Sequence, residues 1–378
     1  MSDPKYWLGF NLVKGVGPAK VQALLSYFGD LGRAWHATEL QLQQIGFDRR
    51  AIRSLLEARS QLDLDQCLSR VQKAGITLLT WESAAYPARL REAPAPPPLL
   101  YMLGELLEAD QWAIAVVGTR RLTSYGKQIT RELVAGLVRN GIVIVSGLAR
   151  GIDAIAHQTA LECGGRTVAV LGSGLDCIYP AEHRSLVKRI LDGRGAVLSE
   201  YGLGVQPEAR NFPPRNRIIS GLTLGTVVIE AGERSGALIT AKFALEQDRE
   251  VFAVPGNVNS PASKGCNRLI QQGAKLVMGA EDILEELSLQ MVEEHTAVQL
   301  ALPESAEEAA LLNLLSAQPV HIDELCRETG MPSSVVSSTL ALMELKGMVQ
   351  QTGGMNYALC REPEAVYQIT KDEEHETA

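Results

Sequence analysis

The stretch AIAVVGTRR at residues 113–121 decides the fold, because an apolar strand pattern runs directly into a turn of glycine and arginine. The same change recurs as IVIVSGLARGID at 142–153, as TVAVLGSG at 167–174, and between 227 and 237. Turns that follow parallel strands gather at one edge of a sheet, where backbone N–H groups and helix N-termini favour anions. The arginines indicate that the anion is a phosphate.

Short strands and helices alternate between residues 112 and 287. The Val- and Ile-rich strands are predicted at 113–117, 142–145, 167–171, 196–199, 226–230, 251–254 and 275–278. The helices are predicted at 124–139, 153–163, 181–192, 236–248, 265–272 and 280–287. This alternation is typical of an α/β, Rossmann-like, mostly parallel sheet with helices on both faces.

Other segments flank this centre, which we assign to residues 66–287. Residues 1–65 have helical periodicity, and Gly15-Val16-Gly17 resembles the turn of a helix-hairpin-helix, with a weaker copy at 45–50. A plain helical bundle with a glycine turn explains the same pattern. The prolines between 94 and 98 favour an extended segment that leads into an edge strand. We predict a linker at 288–303, a winged helix at 304–361 and a polar tail at 362–378.

The net charge of −8 hides an asymmetry along the chain. Residues 112–279 carry seven more basic than acidic side chains, whereas residues 280–378 carry 15 more acidic than basic ones. A basic centre is compatible with a nucleic-acid partner. No apolar run approaches the ~20 residues of a membrane helix. The six scattered cysteines argue for reduced thiols in the cytoplasm and against a zinc or disulfide framework.

Common nucleotide motifs are missing, so we predict no cofactor and no metal. Neither G-x-G-x-x-G nor G-x-x-x-x-G-K-[ST] follows a strand. Asp153 and His157 lie four residues apart on one predicted helix, which allows a catalytic pair. A capping aspartate and a packed histidine explain the spacing better, because no nucleophile motif accompanies them.

The segment NFPPRNRIISG at 211–221 carries the strongest phosphate signal. Arg215 and Arg217 enter a helix after two prolines, and an arginine fork matches two phosphate oxygens. Internal pairs with Glu200 or Glu230 are the alternative. After the next strand, Ser235 and Gly236 could offer backbone donors at a helix start, and Lys242 either reaches the ligand or only solvates the helix.

These segments together resemble the DNA-processing protein A (DprA/Smf) family. The resemblance covers about residues 80–280 and is carried by motifs throughout the centre: GTR at 118–120, SGLARGID at 146–153, GSGLD at 172–176, FPPRNRII at 212–219, SGALITA at 235–241 and VPG at 254–256. It implies a cytoplasmic protein that binds single-stranded DNA, protects incoming strands in natural transformation and helps load RecA. It also implies a homodimer formed through the Rossmann-like domain, and no catalytic activity.

The resemblance also assigns a basic DNA-binding pocket, which carries over to Arg120, Arg150, Arg215, Arg217 and Lys242. Turn residues are expected to flank it: Ser146, Gly147, Gly151, Gly172, Ser173, Asn216, Ser235 and Gly236. Phe212 is our candidate for a ring that stacks on a base, and packing under the proline loop is its alternative.

Two other functions fit parts of the sequence less well. A nucleotide phosphoribohydrolase on a similar sheet would carry a Pro-Gly-Gly-x-Gly-Thr turn, whereas residues 230–236 read EAGERSG, and a mononucleotide hydrolysis assay separates the two functions. A transcription factor would use the winged helix on duplex DNA. That segment carries seven acidic and three basic side chains, so we predict that it meets a protein, or this same chain, rather than DNA.

Overall fold

The computed structural model describes residues 2–193, 195–287, 305–315, 320–345 and 349–359. They belong to two compact units, Met1–Leu287 and Ser288–Ala378. The predicted linker at 288–303 and the predicted polar tail at 362–378 lie outside the described residues.

A nine-stranded sheet in the order β1-β2-β6-β5-β4-β3-β7-β8-β9 forms the centre of the first unit. Its strands are β1 Thr77–Thr80, β2 Leu99–Gly104, β3 Ala113–Val117, β4 Val143–Ser146, β5 Thr167–Leu171, β6 Ala196–Ser199, β7 Gly225–Val228, β8 Glu250–Ala253 and β9 Lys275–Leu276. The neighbours from β6 to β9 are parallel, and β1 and β2 are antiparallel to their neighbours. The mostly parallel sheet is confirmed. The ends of the seven predicted strands differ from the observed ends by at most two residues.

Helices cover both faces of this sheet, as buried parallel strands require. They are α1 Pro4–Leu12, α2 Pro18–Phe28, α3 Leu31–Trp35, α4 Glu39–Gln44, α5 Arg49–Gln61, α6 Leu64–Lys73, α7 Ala88–Glu92, α8 Ser124–Arg139, α9 Ile152–Glu162, α10 Arg184–Asp192, α11 Phe212–Gly221, α12 Ala237–Glu246, α13 Lys264–Gln271 and α14 Ala280–Glu286. Alternate residues of β5 face opposite layers: Val168 and Val170 pack with α11 and α12, whereas Ala169 and Leu171 pack with α10 and the first helices.

The N-terminal helices share a core with the sheet. Trp7 and Phe10 of α1 belong to the same buried cluster as Leu171 and Val197. Asn11 also links the layers, because its Nδ2 donates to the carbonyl oxygen of Glu200 (3.1 Å). The boundary that we predict at residue 65 therefore does not separate two cores.

Two helical hairpins lie within this helical layer, as the glycine pattern predicts. Gly15 between α1 and α2 and Gly46 between α4 and α5 have φ values of 85° and 86°, where a side chain would be strained. Lys20 connects the hairpins, because its Nζ donates to the carbonyl oxygen of Gly15 (2.9 Å) and to Oδ2 of Asp48 (2.7 Å). The charge of Lys20 is therefore already paired.

The strand that follows the proline segment is not at the edge of the sheet, where we predict it. The prolines between 94 and 98 precede β2, and β2 lies between β1 and β6. The prediction was wrong because β1, which is only four residues long, pairs outside β2. Because the prolines end before the strand starts, their missing N–H groups cost the sheet no hydrogen bonds.

The second unit has the order of a winged helix. It contains α15 Ala306–Leu314, β10 Val320–His321, α16 Ile322–Thr329, α17 Ser333–Leu345, β11 Val349–Gly353 and β12 Asn356–Leu359. Its three strands pair in the order β10-β12-β11 around a core that includes Leu311, Leu325 and Leu340. The C-terminal winged helix that we predict is confirmed. Across all described residues, no helix is long and apolar enough to span a membrane.

We expect Phe10→Ala to destabilise the helical layer and the sheet together, because the ring is fully buried in their shared core. Truncating a buried phenylalanine costs about 3–5 kcal/mol. Urea unfolding followed by circular dichroism, and by fluorescence of a variant that keeps only Trp112 next to β3 as its tryptophan, should give one shifted transition. Leu40→Ala, at an exposed position of α4, is the control. Two separate transitions, with only the helical one shifted, would contradict the shared core.

Candidate functional site

The topology of the sheet creates a crevice beside β3. From β3 the chain continues outward through β4, β5 and β6, and it then crosses to the other side of β3 to form β7, β8 and β9. The loops that follow β3 and β7 therefore leave in opposite directions. Ligands of open α/β sheets bind at such a switch point, beyond the carboxyl ends of the strands.

A cavity of about 810 Å³ occupies this position, and we call it the switch-point cavity. The loops after β3, β4 and β7 and the first turns of α11 and α12 line it. Its charged lining residues are four arginines and one carboxylate: Arg120, Arg121, Arg215, Arg234 and Asp153. The cavity is therefore suited to an anionic ligand.

Arg215 lies on the buried side of this cavity. It is only 4% exposed, and its Nη1 donates to the carbonyl oxygens of Gly147 (2.7 Å) and Val170. Its Nε is buried and makes no hydrogen bond within the described part of the chain. Burial lowers the pKa of Arg215 to about 10, so the guanidinium stays charged at neutral pH. A buried cation with an unused donor favours an anion.

Asp153 is the carboxylate that faces Arg215. It lies in the first turn of α9, and its Oδ2 accepts a hydrogen bond from the backbone N–H of Ala149 (3.3 Å). Burial raises the pKa of Asp153, and the charge of Arg215 opposes that rise. The aspartate thus partly balances the buried arginine.

His157 does not form a catalytic pair with Asp153. The imidazole is fully buried, and its Nδ1 shares a hydrogen bond of 2.7 Å with Oγ1 of Thr167. Burial lowers the pKa of His157 to about 3, which keeps the ring neutral. The structure therefore agrees with the packed histidine that the sequence favours.

Two glycines allow the loops to converge on Arg215. A Cβ atom at Gly147 would lie 2.7 Å from Nη2 of Arg215. Gly151 has a φ of 81°, and a Cβ there would lie 2.3 Å from the carbonyl oxygen of Thr119. Both predicted site glycines are thus needed for close packing, which gives them a structural role at the site.

Aromatic rings form the apolar side of the switch-point cavity. The guanidinium of Arg120 lies 5.4 Å from the ring centre of Phe212, and that of Arg215 lies 5.9 Å away. Tyr179 is the second ring, with its centre 5.8 Å from that of Phe212. Phe212 also packs against the turn after β5, because a Cβ at Gly172 would lie 2.9 Å from it.

The loop after β7 completes the cavity with Arg234, Ser235 and Gly236. Glu230 fixes this loop, because its carboxylate accepts hydrogen bonds from Oγ1 (2.7 Å) and the backbone N–H (3.0 Å) of Thr123. Asn216 of α11 also lines the cavity, and its Nδ2 donates to the carbonyl oxygen of Gly236 (3.4 Å).

Several predicted site residues have other partners. Nη2 of Arg217 donates to both carboxylate oxygens of Glu200 (2.6 and 2.7 Å), and the side chain of Arg217 is 14% exposed. This is the internal pair that the sequence left as the alternative, so the structure contradicts the placement of Arg217 in the pocket. Lys242 is not among the lining residues, and it lies 3.5 Å from Glu246 on the exposed face of α12.

The two predicted serines are buried and bonded to backbone carbonyls. Oγ of Ser146 donates to Val116 (2.6 Å), and Oγ of Ser173 donates to Cys177 (2.7 Å). Their hydroxyls therefore stabilise the turns and do not face the cavity. Arg150 lines a small side pocket that adjoins the cavity, and it pairs with Glu182 (2.6 Å).

Two lining arginines and one lining aromatic residue were missed by the sequence prediction. Arg121 directly follows Arg120, and Arg234 directly precedes Ser235, so both stand inside motifs that we quoted. Tyr179 lies in the long turn after β5. Its role as a lining residue depends on its contact with the ring of Phe212, which no local pattern shows. A complete count of the arginines in the turns would have found the first two.

These observations define the class of protein: a Rossmann-like α/β protein with a cationic cavity at the switch point of its sheet. A family model for the DNA recombination-mediator protein A matches residues 77–288, and a model for the DprA winged helix domain matches residues 295–355. The chain belongs to the DNA recombination-mediator protein A family.

Relatives and solved structures agree with this assignment. Protein Smf of Synechocystis sp. is 36% identical over 393 residues, which cover 94% of this chain and 98% of the relative. DNA processing protein A of Streptococcus pneumoniae has a TM-score of 0.67 and 38% identity, over 76% of this chain and 99% of the other. DNA processing protein A of Helicobacter pylori, described for its single-stranded DNA binding mode, has a TM-score of 0.50 and 32% identity, over 56% of this chain and 96% of the other.

We expect Gly151→Ala to cost about 3 kcal/mol or more of folding stability, because a positive φ and a backbone contact act together. Gly204→Ala is a matched control: its φ is 84°, but a Cβ there meets nothing within 4 Å. That control should cost only about 1–2 kcal/mol. Chemical denaturation of both variants measures the difference. Equal losses would show that the loop after β3 does not press on Gly151.

Proposed function

We propose that the switch-point cavity binds the sugar-phosphate chain of single-stranded DNA, and that the protein acts as a recombination mediator. The observation that carries the proposal is the buried guanidinium of Arg215. It keeps its charge and an unused Nε donor beside a cavity that Arg120, Arg121 and Arg234 also line. Arginine forks bind phosphate oxygens with good geometry.

The lining predicts binding without strong sequence preference. The cations are suited to phosphates, which every nucleotide carries, and phosphate contacts hold no sequence information. Phe212 and Tyr179 add ring faces, on which any base can stack for ~1–3 kcal/mol. Membership of the recombination-mediator family and the single-stranded DNA binding mode described for the Helicobacter pylori relative support this ligand.

A hydrolase function has less support in the lining. A phosphoribohydrolase needs a free carboxylate near its substrate, and Glu230 stands where the matching turn begins. Its carboxylate is committed to two hydrogen bonds from Thr123, and it is not a lining residue. The carboxylate that does line the cavity, Asp153, faces Arg215. We therefore propose a binding function and no catalysis.

Two finer roles follow from the family resemblance. We propose that the protein holds strands for the loading of RecA, and that it does so in the cytoplasm, where RecA would meet incoming DNA. A protein that contacts phosphates and reads few bases can accept any incoming sequence, which suits such a role.

We expect the double variant Arg120→Gln/Arg234→Gln to bind single-stranded DNA with a shallower salt dependence. Each phosphate contact contributes about 0.7 to the slope of log affinity against log salt, so the slope should fall by about 1.4. Fluorescence anisotropy with a labelled oligothymidylate at several salt concentrations measures it. Arg139→Gln, at the far end of α8, is the control. An unchanged slope in the double variant would refute the phosphate site.

We also propose that the homodimer forms through the β9 edge of the sheet. In the described part of the chain, β9 pairs with β8 and lies at the end of the sheet. Leu276 of β9 and the nearby Met278 are 40% and 77% exposed. An edge strand with open hydrogen-bonding groups and apolar neighbours suits a self-complementary contact about a two-fold axis.

The double variant Leu276→Asp/Met278→Asp should be monomeric, because it puts like charges into the contact and removes apolar area. Sedimentation velocity gives the mass of both proteins. Leu40→Asp is a matched change at another exposed leucine, and this variant should sediment with the same mass as the wild type. A double variant that keeps a dimer's mass would place the interface elsewhere.

A further inference from the structure

Cationic side chains follow the order of the strands along the carboxyl edge of the sheet. The strands β5, β4, β3, β7 and β8 are consecutive neighbours, and each is followed at this edge by at least one cation. In that order the cations are Arg184, Arg150, Arg120 with Arg121, Arg234 and Lys264. We call this set the edge row. Arg120, Arg121 and Arg234 line the switch-point cavity, and Arg150 lines the small side pocket that adjoins it. The two ends of the row, Arg184 and Lys264, lie beyond the lining residues of both.

The ends of the edge row are available to a ligand. Arg184 and Lys264 are exposed, and neither forms an ion pair within the residues that the structure describes. Five carboxylates stand in the loops after these strands: Asp153, Asp176, Glu182, Glu230 and Glu233. Glu182 is paired with Arg150, and Asp176 accepts hydrogen bonds from the backbone N–H of Gly204 (2.9 Å). The six cations of the row outnumber these carboxylates, and the positive excess lies in the loops after β3 and β8.

The positions of the two end residues are unfavourable for their own helices. Arg184 is the first residue of α10 and Lys264 is the first residue of α13, where the helix dipole is positive. Neither helix has an acidic residue in its first turn to compensate. An anion that lies across this edge would reverse the sign of the interaction.

We propose that one DNA strand crosses the sheet edge from the β5 side to the β8 side, with its phosphates over the whole edge row. The proposal rests on the proposed function, because the middle of this path is the switch-point cavity. Strands are about 4.8 Å apart, so the four steps from β5 to β8 span about 19 Å. A stacked strand rises about 3.4 Å per nucleotide, so the row matches about six nucleotides.

This path predicts that the end residues matter only for long strands. A three-residue oligonucleotide fits within the switch-point cavity and does not reach Arg184 and Lys264 together. A twelve-residue oligonucleotide covers the whole row. Length dependence therefore separates contact along the edge from contact inside the cavity.

The test compares the wild type with Arg184→Gln/Lys264→Gln, using labelled oligothymidylates of three and twelve residues at several salt concentrations. With the long strand, the salt slope of the variant should be smaller by about 1.4, and its affinity near 0.1 M salt should be about 25-fold lower if the two affinities are equal near 1 M salt. With the short strand, both proteins should bind alike. Thermal melting of the variant checks that it is folded.

The matched control is Arg139→Gln/Arg189→Gln, which removes two exposed arginines from the last turns of α8 and α10. It should bind both strands as the wild type does. A full slope with the long strand in Arg184→Gln/Lys264→Gln overturns the edge path, and so does an equal loss for both lengths. Failure of the proposed function looks different: the wild type would then bind neither strand, or Arg120→Gln/Arg234→Gln would bind normally.

Discussion

A buried positive charge at the switch point constrains the rest of the site. The guanidinium of Arg215 is held by the carbonyl oxygens of Gly147 and Val170 and faces Asp153. Burying an arginine is costly unless its donors are satisfied, so the loop after β4, strand β5 and the first turn of α9 must be placed accurately relative to one another. The glycines at 147 and 151 and the buried aspartate all support this one placement of the guanidinium.

The sheet topology explains why this charge lies where a ligand can reach it. The crossover from β6 to β7 brings α11, with Arg215 near its start, over the carboxyl ends of β4 and β5. The same crossover leaves a gap between the loops after β3 and β7, into which the exposed arginines project from both sides. One change of direction in the chain thus supplies both the buried cation and the opening above it.

The sequence predicts the sheet well because parallel strands are buried on both faces and so appear as continuous apolar runs. Strands β3, β5 and β6 have the predicted ends. The sequence also identifies Arg120 and Arg215 as residues of the cavity. Arg120 lies in the turn after β3 and Arg215 in the first turn of α11, and an arginine at either place needs an anionic ligand or an internal partner.

The remaining site residues depend on distances that no local pattern contains. Arg217 resembles Arg215 in the sequence, but the partner that removes it from the site, Glu200, lies at the end of β6. Lys242 lies three residues beyond Ile239, which lines the cavity, and is therefore about 4.5 Å further along the helix. The predicted edge position of β2 failed for a similar reason, because the pairing of β1 outside β2 is a long-range contact that the local pattern does not contain.

The shared core of the helical layer and the sheet has a consequence for how this protein can be divided. Leu171 of β5 and Val197 of β6 belong to the same buried cluster as Trp7 and Phe10 of α1, so the helical layer is part of the sheet's packing and not an attached appendage. Exchanging the first 65 residues for another helical segment would require new side chains along β5 and β6 as well. Residues 1–287 therefore pack as a single compact unit, within which the hairpins and the switch-point cavity keep a fixed separation.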